Sequence, residues 1–171
     1  VYVNGGTFEM YDTASVTGNK ASNSSGSSGG GVYVSGGKFT MNGNASVTDN
    51  EATYDNTLSG GGVYVEGGEF TMNGNSKVTG NAASDNKSVK GDGGGVYVNS
   101  GGTFNMYGEA TSVSNNTATG SGGGVYVGGA FTVAGSPTVM GNKVGAADNN
   151  VYLDDGKTIA IGGTLTGSPH S

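Results

Sequence analysis

Six tyrosines at the centre of short triplets are the side chains whose type and spacing most suggest binding chemistry. They are Tyr2, Tyr33, Tyr64, Tyr97, Tyr126 and Tyr152, each in Val-Tyr-Val except the last, which is in Val-Tyr-Leu. A tyrosine ring offers rigid, amphipathic contact area to a glycan or a partner protein. Strand alternation predicts that the rings point away from the flanking valines and form an exposed row. The row is a candidate ligand-binding platform. The alternative is that ring stacking only stabilises the sheet.

Three stretches, 20–31, 51–62 and 82–95, differ from one another although the segments around them repeat. Loops on a rigid scaffold are where binding specificity usually lies. Tyr54 and Leu58 are apolar residues in the middle stretch, where a solvated spacer would not need them. They form a second candidate ligand-binding set. The alternative is that all three stretches are solvated spacers.

Catalytic residues are not expected in this chain. Hydrolysis of a glycoside needs two carboxylates at a fixed separation, and an anionic polymer also needs cations to hold it. Glu66 and Glu69 are a candidate pair, but the Gly67-Gly68 turn between them is expected to aim them apart. The sequence has no arginine, and its one histidine is His170. The chain is therefore predicted not to be an enzyme.

The charge balance disfavours nucleic acid as a partner. Thirteen Asp and Glu residues against seven lysines give a net charge of −6, which disfavours nucleic acid because phosphate binding needs clustered Lys and Arg.

No apolar run reaches about 18 residues, so membrane insertion is not expected. Asp148, Asp154 and Asp155 are grouped, but calcium takes about six to eight oxygen ligands and no calcium-loop motif is present. No metal or cofactor is predicted, and a weak calcium site is the remaining alternative.

A repeat organises these residues. The phrase Gly-Gly-Gly-Val-Tyr-Val stands at 29–34, 60–65, 93–98 and 122–127. Units spaced 26 to 33 residues apart begin at Val1, Val32, Val63, Val96, Val125 and Val151. Each of the first five units carries a phenylalanine, then a methionine or valine, then a valine, then an asparagine, as in Phe39, Met41, Val47 and Asn50. A unit this short cannot bury its own apolar face, so its copies must stack.

The repeat predicts a single all-β domain over 1–171. Its fold class is a right-handed parallel β-helix (solenoid) with three short strands in each turn, or rung. About five full rungs and a terminal closing rung are expected. Val32, Val34, Phe39, Met41 and Val47 should point inward in one rung. The glycine triplets should allow turns at positive φ, and the asparagine column should tolerate left-handed geometry and form an amide ladder.

Two segments carry a resemblance to a known family. GGGVYVSGGKFTMNGNASVTDNEA and the ending NNVYLDDGKTIAIGGTLTGS resemble the repeat and terminal segment of adhesin-like surface proteins of gut and oral bacteria. That resemblance implies the right-handed β-helix of the pectate-lyase-like superfamily, in a large, secreted protein attached to the cell wall. It implies no catalytic motif. The last unit departs from the pattern, since Asp148-Asn149-Asn150 replaces the glycine triplet and Ile159, Ile161 and Leu165 replace Phe, Met and Val.

Together these observations predict a non-catalytic, extracellular adhesin-like segment on a bacterial cell surface. It would mediate surface attachment or bind a host glycan or host surface protein. A purely structural stalk or spacer is the alternative, and a polysaccharide-active enzyme is less expected. The sequence is interpreted as a fragment of a larger protein. An unpaired first rung at Val1 would leave a strand edge, so end-to-end self-association of the fragment is a further expectation.

Overall fold

The chain folds as a coil of stacked parallel sheets. The computed structural model describes residues 1–23, 28–54, 59–85 and 90–166. Within these ranges the secondary structure consists of strands and turns, with no helix. The sheets stack as a β-solenoid of about five turns. The predicted fold class is confirmed, and like residues lie opposite each other as expected, for example Phe70 opposite Phe104.

Three walls of the coil are the predicted ones. The first wall contains the tyrosine triplets, in strands Tyr2–Val3, Val32–Val34, Val63–Val65, Val96–Val98, Val125–Val127 and Val151–Leu153. The second wall contains the phenylalanines, in strands Thr7–Met10, Lys38–Met41, Glu69–Asn73, Thr103–Gly108, Ala130–Gly135 and Ile159–Leu165. The third wall is shorter, with strands Ser15–Thr17, Ser46–Thr48, Lys77–Thr79, Ser112–Ser114 and Thr138–Met140.

A fourth wall, which the sequence analysis did not predict, follows the asparagine column. Its strands are Lys20–Asn23, Glu51–Tyr54, Ala82–Asp85, Thr117–Ala118 and Lys143–Val144, and Ala147–Asp148 pairs antiparallel with the last of these. Ala52, Ala83 and Ala118 are buried on its inner side. An alanine stands two residues after each of Asn19, Asn50, Asn81 and Asn116, and this column is the signal from which the wall could have been found. Beyond it, Ser28–Gly29 and Ser59–Gly60 pair in parallel where the chain returns from two loops.

Columns of apolar side chains fill the coil. The five residues predicted to point inward, Val32, Val34, Phe39, Met41 and Val47, are all fully buried. Neighbouring phenylalanine rings stack with centroids 4.8 to 5.1 Å apart and interplanar angles of 6 to 13°. Alternation along each strand therefore assigned the interior faces correctly, because side chains two residues apart must share a face.

The asparagine column forms the predicted amide ladder. The Asn81 side-chain nitrogen donates to Oδ1 of Asn116 at 2.9 Å and to the carbonyl oxygen of Val47 at 3.0 Å. The Asn81 Oδ1 accepts from the backbone and side-chain nitrogens of Asn50, at 2.9 and 3.0 Å. Asn19 and Asn142 continue the pattern in their rungs, and Asn150 accepts from Asn142 at the end. Buried amides paired in this way satisfy one another's hydrogen-bonding groups inside the coil.

The expected left-handed geometry lies one residue earlier than the asparagine column. The residue immediately before each ladder asparagine has positive φ, at 54 to 69°: Gly18, Asp49, Gly80, Asn115 and Gly141. The expectation for the ladder asparagines themselves was therefore wrong. The physical reason is that each ladder side chain must point into the coil, so the preceding residue makes the corner. Glycine, Asp and Asn are the residue types that accept this conformation most easily.

The glycine triplets are required mainly by close approach of backbone segments. Positive φ occurs in the triplets only at Gly93 and Gly122, so the predicted reason was wrong for the other positions. A Cβ added to Gly61 would overlap the Gly94 carbonyl oxygen and lie 2.5 Å from the Ala82 carbonyl carbon. A Cβ on Gly62 would lie 3.0 Å from the Asn81 side chain. The triplet thus brings the returning chain against the fourth wall and the amide ladder.

Replacing Gly61 with alanine is expected to destabilise the fold by about 1–3 kcal/mol, because the new methyl group has no space between backbone atoms that cannot move aside. Urea denaturation followed by circular dichroism measures the change. Gly36→Ala is the matched control, since a Cβ there would meet its nearest neighbour, the Gly5 nitrogen, at an ordinary 3.6 Å. Equal losses in the two variants would contradict the close-approach explanation.

Candidate functional site

The tyrosine row is not the continuous exposed surface that the sequence predicted. Tyr64 and Tyr97 are only 1% and 3% exposed, and Tyr33 and Tyr126 are half-buried. Tyr2 is exposed at one end of the row, and Tyr152 is exposed at 39% at the other. The prediction of exposure is wrong for the middle of the row. These rings do point away from the core, but other chain segments cover them.

The covering segments are those that return from the loops. A Cβ added to Gly93 would lie 2.8 Å from the Tyr97 Cβ, and one added to Gly60 would lie 3.0 Å from the Tyr64 backbone nitrogen. The strand Ser59–Gly60 packs beside the first-wall strand Val63–Val65. The returning chain therefore runs along the outer side of the first wall, where strand alternation alone predicts solvent.

The tyrosine rings form a stack along the coil axis. Tyr64 and Tyr97 have centroids 5.2 Å apart at 14°, and Tyr97 and Tyr126 have centroids 4.6 Å apart at 7°. Aromatic neighbours at such separations stabilise a sheet beyond the area that they bury. The burial and the stacking favour the structural interpretation of Tyr64 and Tyr97, which leaves Tyr2 and Tyr152 as the ring faces open to a ligand.

Burial and neighbouring carboxylates keep the stacked tyrosines protonated. The Tyr33 hydroxyl donates to Oε2 of Glu66 at 2.6 Å, and burial followed by this hydrogen bond raises the Tyr33 pKa well above its usual range. Burial also raises the pKa of Tyr97. For Tyr126, burial and the negative charge of Asp154 raise the pKa to about 12. The raised pKa keeps the hydroxyls of Tyr33, Tyr97 and Tyr126 neutral to more alkaline pH than an ordinary tyrosine.

The loop edge of the coil is defined by the fourth wall. Lys20–Asn23, Glu51–Tyr54 and Ala82–Asp85 pair in register, so the three variable stretches leave the coil along one edge. An ion pair joins Lys20 to Glu51 at 3.0 Å on this edge. The candidate Tyr54 ends its strand, but its side chain and the whole of Leu58 lie outside the described residues. Both stay predictions.

Glu66 and Glu69 are held in separate networks. Glu66 accepts the hydrogen bond from Tyr33, on the first-wall side of the turn. Glu69 forms an ion pair with Lys38 at 3.1 Å and accepts a hydrogen bond from the Asn105 side chain at 3.0 Å, on the second wall. Each carboxylate is thus occupied by different partners.

Two exposed aromatic rings on the second-wall side were missed by the sequence analysis. Tyr11 is 55% exposed and Tyr107 is 36% exposed. The Tyr107 hydroxyl donates to Oδ1 of Asn105, whose side-chain nitrogen in turn donates to Glu69. Both tyrosines immediately follow the methionine column, at Met10 and Met106, where alternation predicts an outward side chain. That position is the signal by which they could have been found.

A metal centre and a membrane-spanning helix were also sought in the described ranges. No group of three or more Asp, Glu or His side chains there could hold a metal ion, so Asp148, Asp154 and Asp155 do not converge. In the same ranges no helix has the length and hydropathy to cross a membrane. His170 lies outside the described residues.

Comparison with known proteins identifies no relative of this chain. No protein-family model, curated protein or solved structure matches this chain. The class that the fold defines is a parallel β-solenoid repeat protein with a continuous apolar core, a buried amide ladder and variable loops along one edge.

Proposed function

We propose that the chain is a non-catalytic, adhesin-like segment of a bacterial cell-surface protein. In this proposal a stiff extracellular coil displays its loop edge to a host glycan or a host surface protein. The resemblance of the repeat to adhesin-like proteins suggests the location at a bacterial cell surface. The separate occupation of Glu66 and Glu69, described above, supports the absence of catalysis.

The observation that carries the proposal is the way the coil closes beneath each loop. Gly30, Gly61 and Gly94 lie against the backbone of fourth-wall residues Glu51, Ala82 and Thr117. The side of each loop that returns to the coil therefore packs tightly against the fourth-wall strand of the following rung, and the apolar columns continue on the inner side of this contact. A loop anchored in this way can change in length and sequence without disturbing the core. Variation confined to one edge of an otherwise repetitive scaffold is typical of a binding surface.

The length of the coil also bears on whether the chain displays a ligand-binding surface or acts as a spacer. Each unit uses 26 to 33 residues, yet neighbouring strands advance by only about 4.8 Å. A helix of about 30 residues would span about 45 Å. The solenoid therefore gains little length for its residues. What it provides is a stiff rod with several outer faces, which favours the display of a binding surface over the spanning of a distance.

The first experiment passes the labelled protein over a glycan array that includes mucin-type structures. We expect saturable binding that is lost in the double variant Tyr54→Ser with Leu58→Ser. The matched control is Tyr11→Ser, which removes an exposed tyrosine outside the loops and should leave binding unchanged. Circular dichroism verifies that all variants remain folded. Binding that survives the loop variant would contradict display by the loop edge.

A spacer is the second candidate function, and the burial of Tyr64 and Tyr97 favours it because it removes the largest candidate platform. A blank glycan array, together with no capture of host surface proteins by the immobilised chain, is the result expected of a spacer. That outcome would overturn the proposal of ligand display.

A further inference from the structure

The turn between the second and third walls is one residue longer in one rung than in the rungs on either side of it. Four residues, 108–111, make this turn, whereas three residues, 74–76 and 135–137, make it in the preceding and the following rung. The strands on both sides of the turn stay in register, so the extra residue must be accommodated at this corner of the coil.

The longer turn lacks the backbone hydrogen bond that closes the shorter ones. The Ser76 nitrogen donates to the Asn73 carbonyl oxygen at 3.3 Å, and the Ala45 nitrogen donates to the Asn42 carbonyl oxygen at 3.2 Å. Thr111 is the equivalent residue in the longer turn, and its backbone nitrogen has no hydrogen-bond partner among the described residues. Thr111 is fully buried, so bulk solvent cannot satisfy this N–H group.

Two buried hydroxyl groups at the same corner are also without a partner. Ser76 and Thr111 are fully buried, and neither Ser76 Oγ nor Thr111 Oγ1 is hydrogen-bonded within the described part of the chain. The two residues stand one rung apart, since the Ser112 nitrogen donates to the Ser76 carbonyl oxygen at 3.0 Å. The equivalent residue is Ala45 one rung earlier and Pro137 one rung later. The hydroxyl side chains of this column are thus those of the longer turn and of the turn preceding it.

We propose that Ser76 and Thr111 bind one internal water molecule that bridges the two rungs. Neighbouring rungs are about 4.8 Å apart, which is too far for one hydroxyl group to donate directly to the other. Two hydrogen bonds of about 2.8 Å that meet at a tetrahedral oxygen span about 4.6 Å, so a single water molecule fits this separation. A buried water typically makes about three hydrogen bonds, and the Thr111 backbone N–H supplies the third.

The chemistry of these three groups favours water over a cation as the bound species. The N–H group is a donor that needs an acceptor, and a cation would repel it. A water oxygen accepts from the Thr111 N–H and leaves the molecule able to bond to both hydroxyl groups. The water would replace the turn hydrogen bond that the extra residue prevents. This proposal is independent of the proposed adhesive function, because it concerns the inside of the coil and not its loop edge.

The direct test is a high-resolution crystal structure of the full chain. We expect an ordered water molecule within about 2.7–3.2 Å of Ser76 Oγ, Thr111 Oγ1 and the Thr111 backbone nitrogen. A direct hydrogen bond between the two hydroxyl groups, or a corner without a bound molecule, would overturn the proposal. A metal cation at this position would overturn it as well.

The variant Thr111→Val tests the same site in solution, because valine nearly keeps the shape of threonine and lacks the hydroxyl group. With the water bound, the variant loses one of its hydrogen bonds, and the folding equilibrium constant should fall by about threefold to tenfold. Urea denaturation measures the change. The matched control is Thr48→Val, on the half-buried outer side of the third wall, which should change the constant by no more than about twofold.

The sign of the change in Thr111→Val separates a bound water from an unpaired hydroxyl group. A buried hydroxyl group without any partner is itself costly, so its replacement by a methyl group would make the variant more stable than the wild type. A more stable variant, or one with the wild-type constant, would therefore contradict the bound water.

Discussion

Replacing Phe70 with alanine is expected to lower the free energy of unfolding by about 3–5 kcal/mol. Phe70 is fully buried and is stacked between Phe39 at 4.8 Å and Phe104 at 5.0 Å. The substitution would leave a cavity in the middle of the column, and the neighbouring rings cannot fill it because their own strands fix their spacing. Urea or guanidinium denaturation, followed by far-ultraviolet circular dichroism, measures the loss.

Phe8→Ala is the matched control for this prediction. Phe8 begins the same column, is only partly buried and stacks on a single neighbour, Phe39, at 5.1 Å. Less apolar area is exposed to water by its removal, so a clearly smaller loss is expected. If the two substitutions cost the same, the stability of the coil would not depend on the continuous phenylalanine column.

Replacing Asn81 with aspartate is expected to cost about 3–5 kcal/mol at neutral pH. Asn81 is fully buried, and its side-chain nitrogen donates to Asn116 and to the Val47 carbonyl oxygen. A carboxylate there would direct a negative charge at these two oxygen atoms with no hydrogen to donate. The ladder would be interrupted at its centre, because Asn81 also accepts two hydrogen bonds from Asn50.

The loss in Asn81→Asp should depend on pH. Burial raises the pKa of the new carboxyl above its unfolded value of about 3.9, so the folded state holds the proton more tightly than the unfolded state does. The variant is therefore expected to approach the wild-type stability as pH falls through that raised pKa toward about 4, and to lose stability as pH rises. Chemical denaturation of both proteins at several pH values measures the difference.

Asn75→Asp is the matched control, because it makes the same chemical change on the surface. The Asn75 side chain is exposed and donates to Asn44 at 3.3 Å. A substitution at such a site usually changes stability by no more than about 0.5 kcal/mol. A similar loss at Asn75 and Asn81, or a loss at Asn81 that does not vary with pH, would contradict the role assigned to the buried ladder.

The inward columns were predictable because they depend on local geometry. Alternation along a strand places Phe39 and Met41 on one face whatever else the chain does, and the repeat places each of them beside its counterpart in the next unit. The amide ladder was predictable for the same reason, since Asn50 and Asn81 stand at equivalent positions. The fourth wall was missed because alanines such as Ala52 and Ala83 give a weak apolar signal.

The surface of the coil could not be predicted in the same way. Tyr64 and Tyr97 point outward as alternation requires, but their exposure depends on where the chain runs after each loop. The glycine triplets were assigned to turns, whereas the structure shows that Gly61 and Gly62 are needed because other backbone and side-chain atoms lie against them. Neither the burial of the two tyrosines nor the close approach at the two glycines follows from the residues next to them in the sequence.

The period, the all-β class and the inner face of every predicted strand follow from the amino-acid sequence alone, because a two-residue alternation and a repeated unit act over short distances. Which outward side chains meet solvent is evident only from the folded chain. The burial of Tyr64 and Tyr97 and the close packing around Gly61 arise where segments of neighbouring rungs approach each other. Such burial depends on the path of the whole chain, and for this reason the candidate binding surface moved from the tyrosine row to the loop edge.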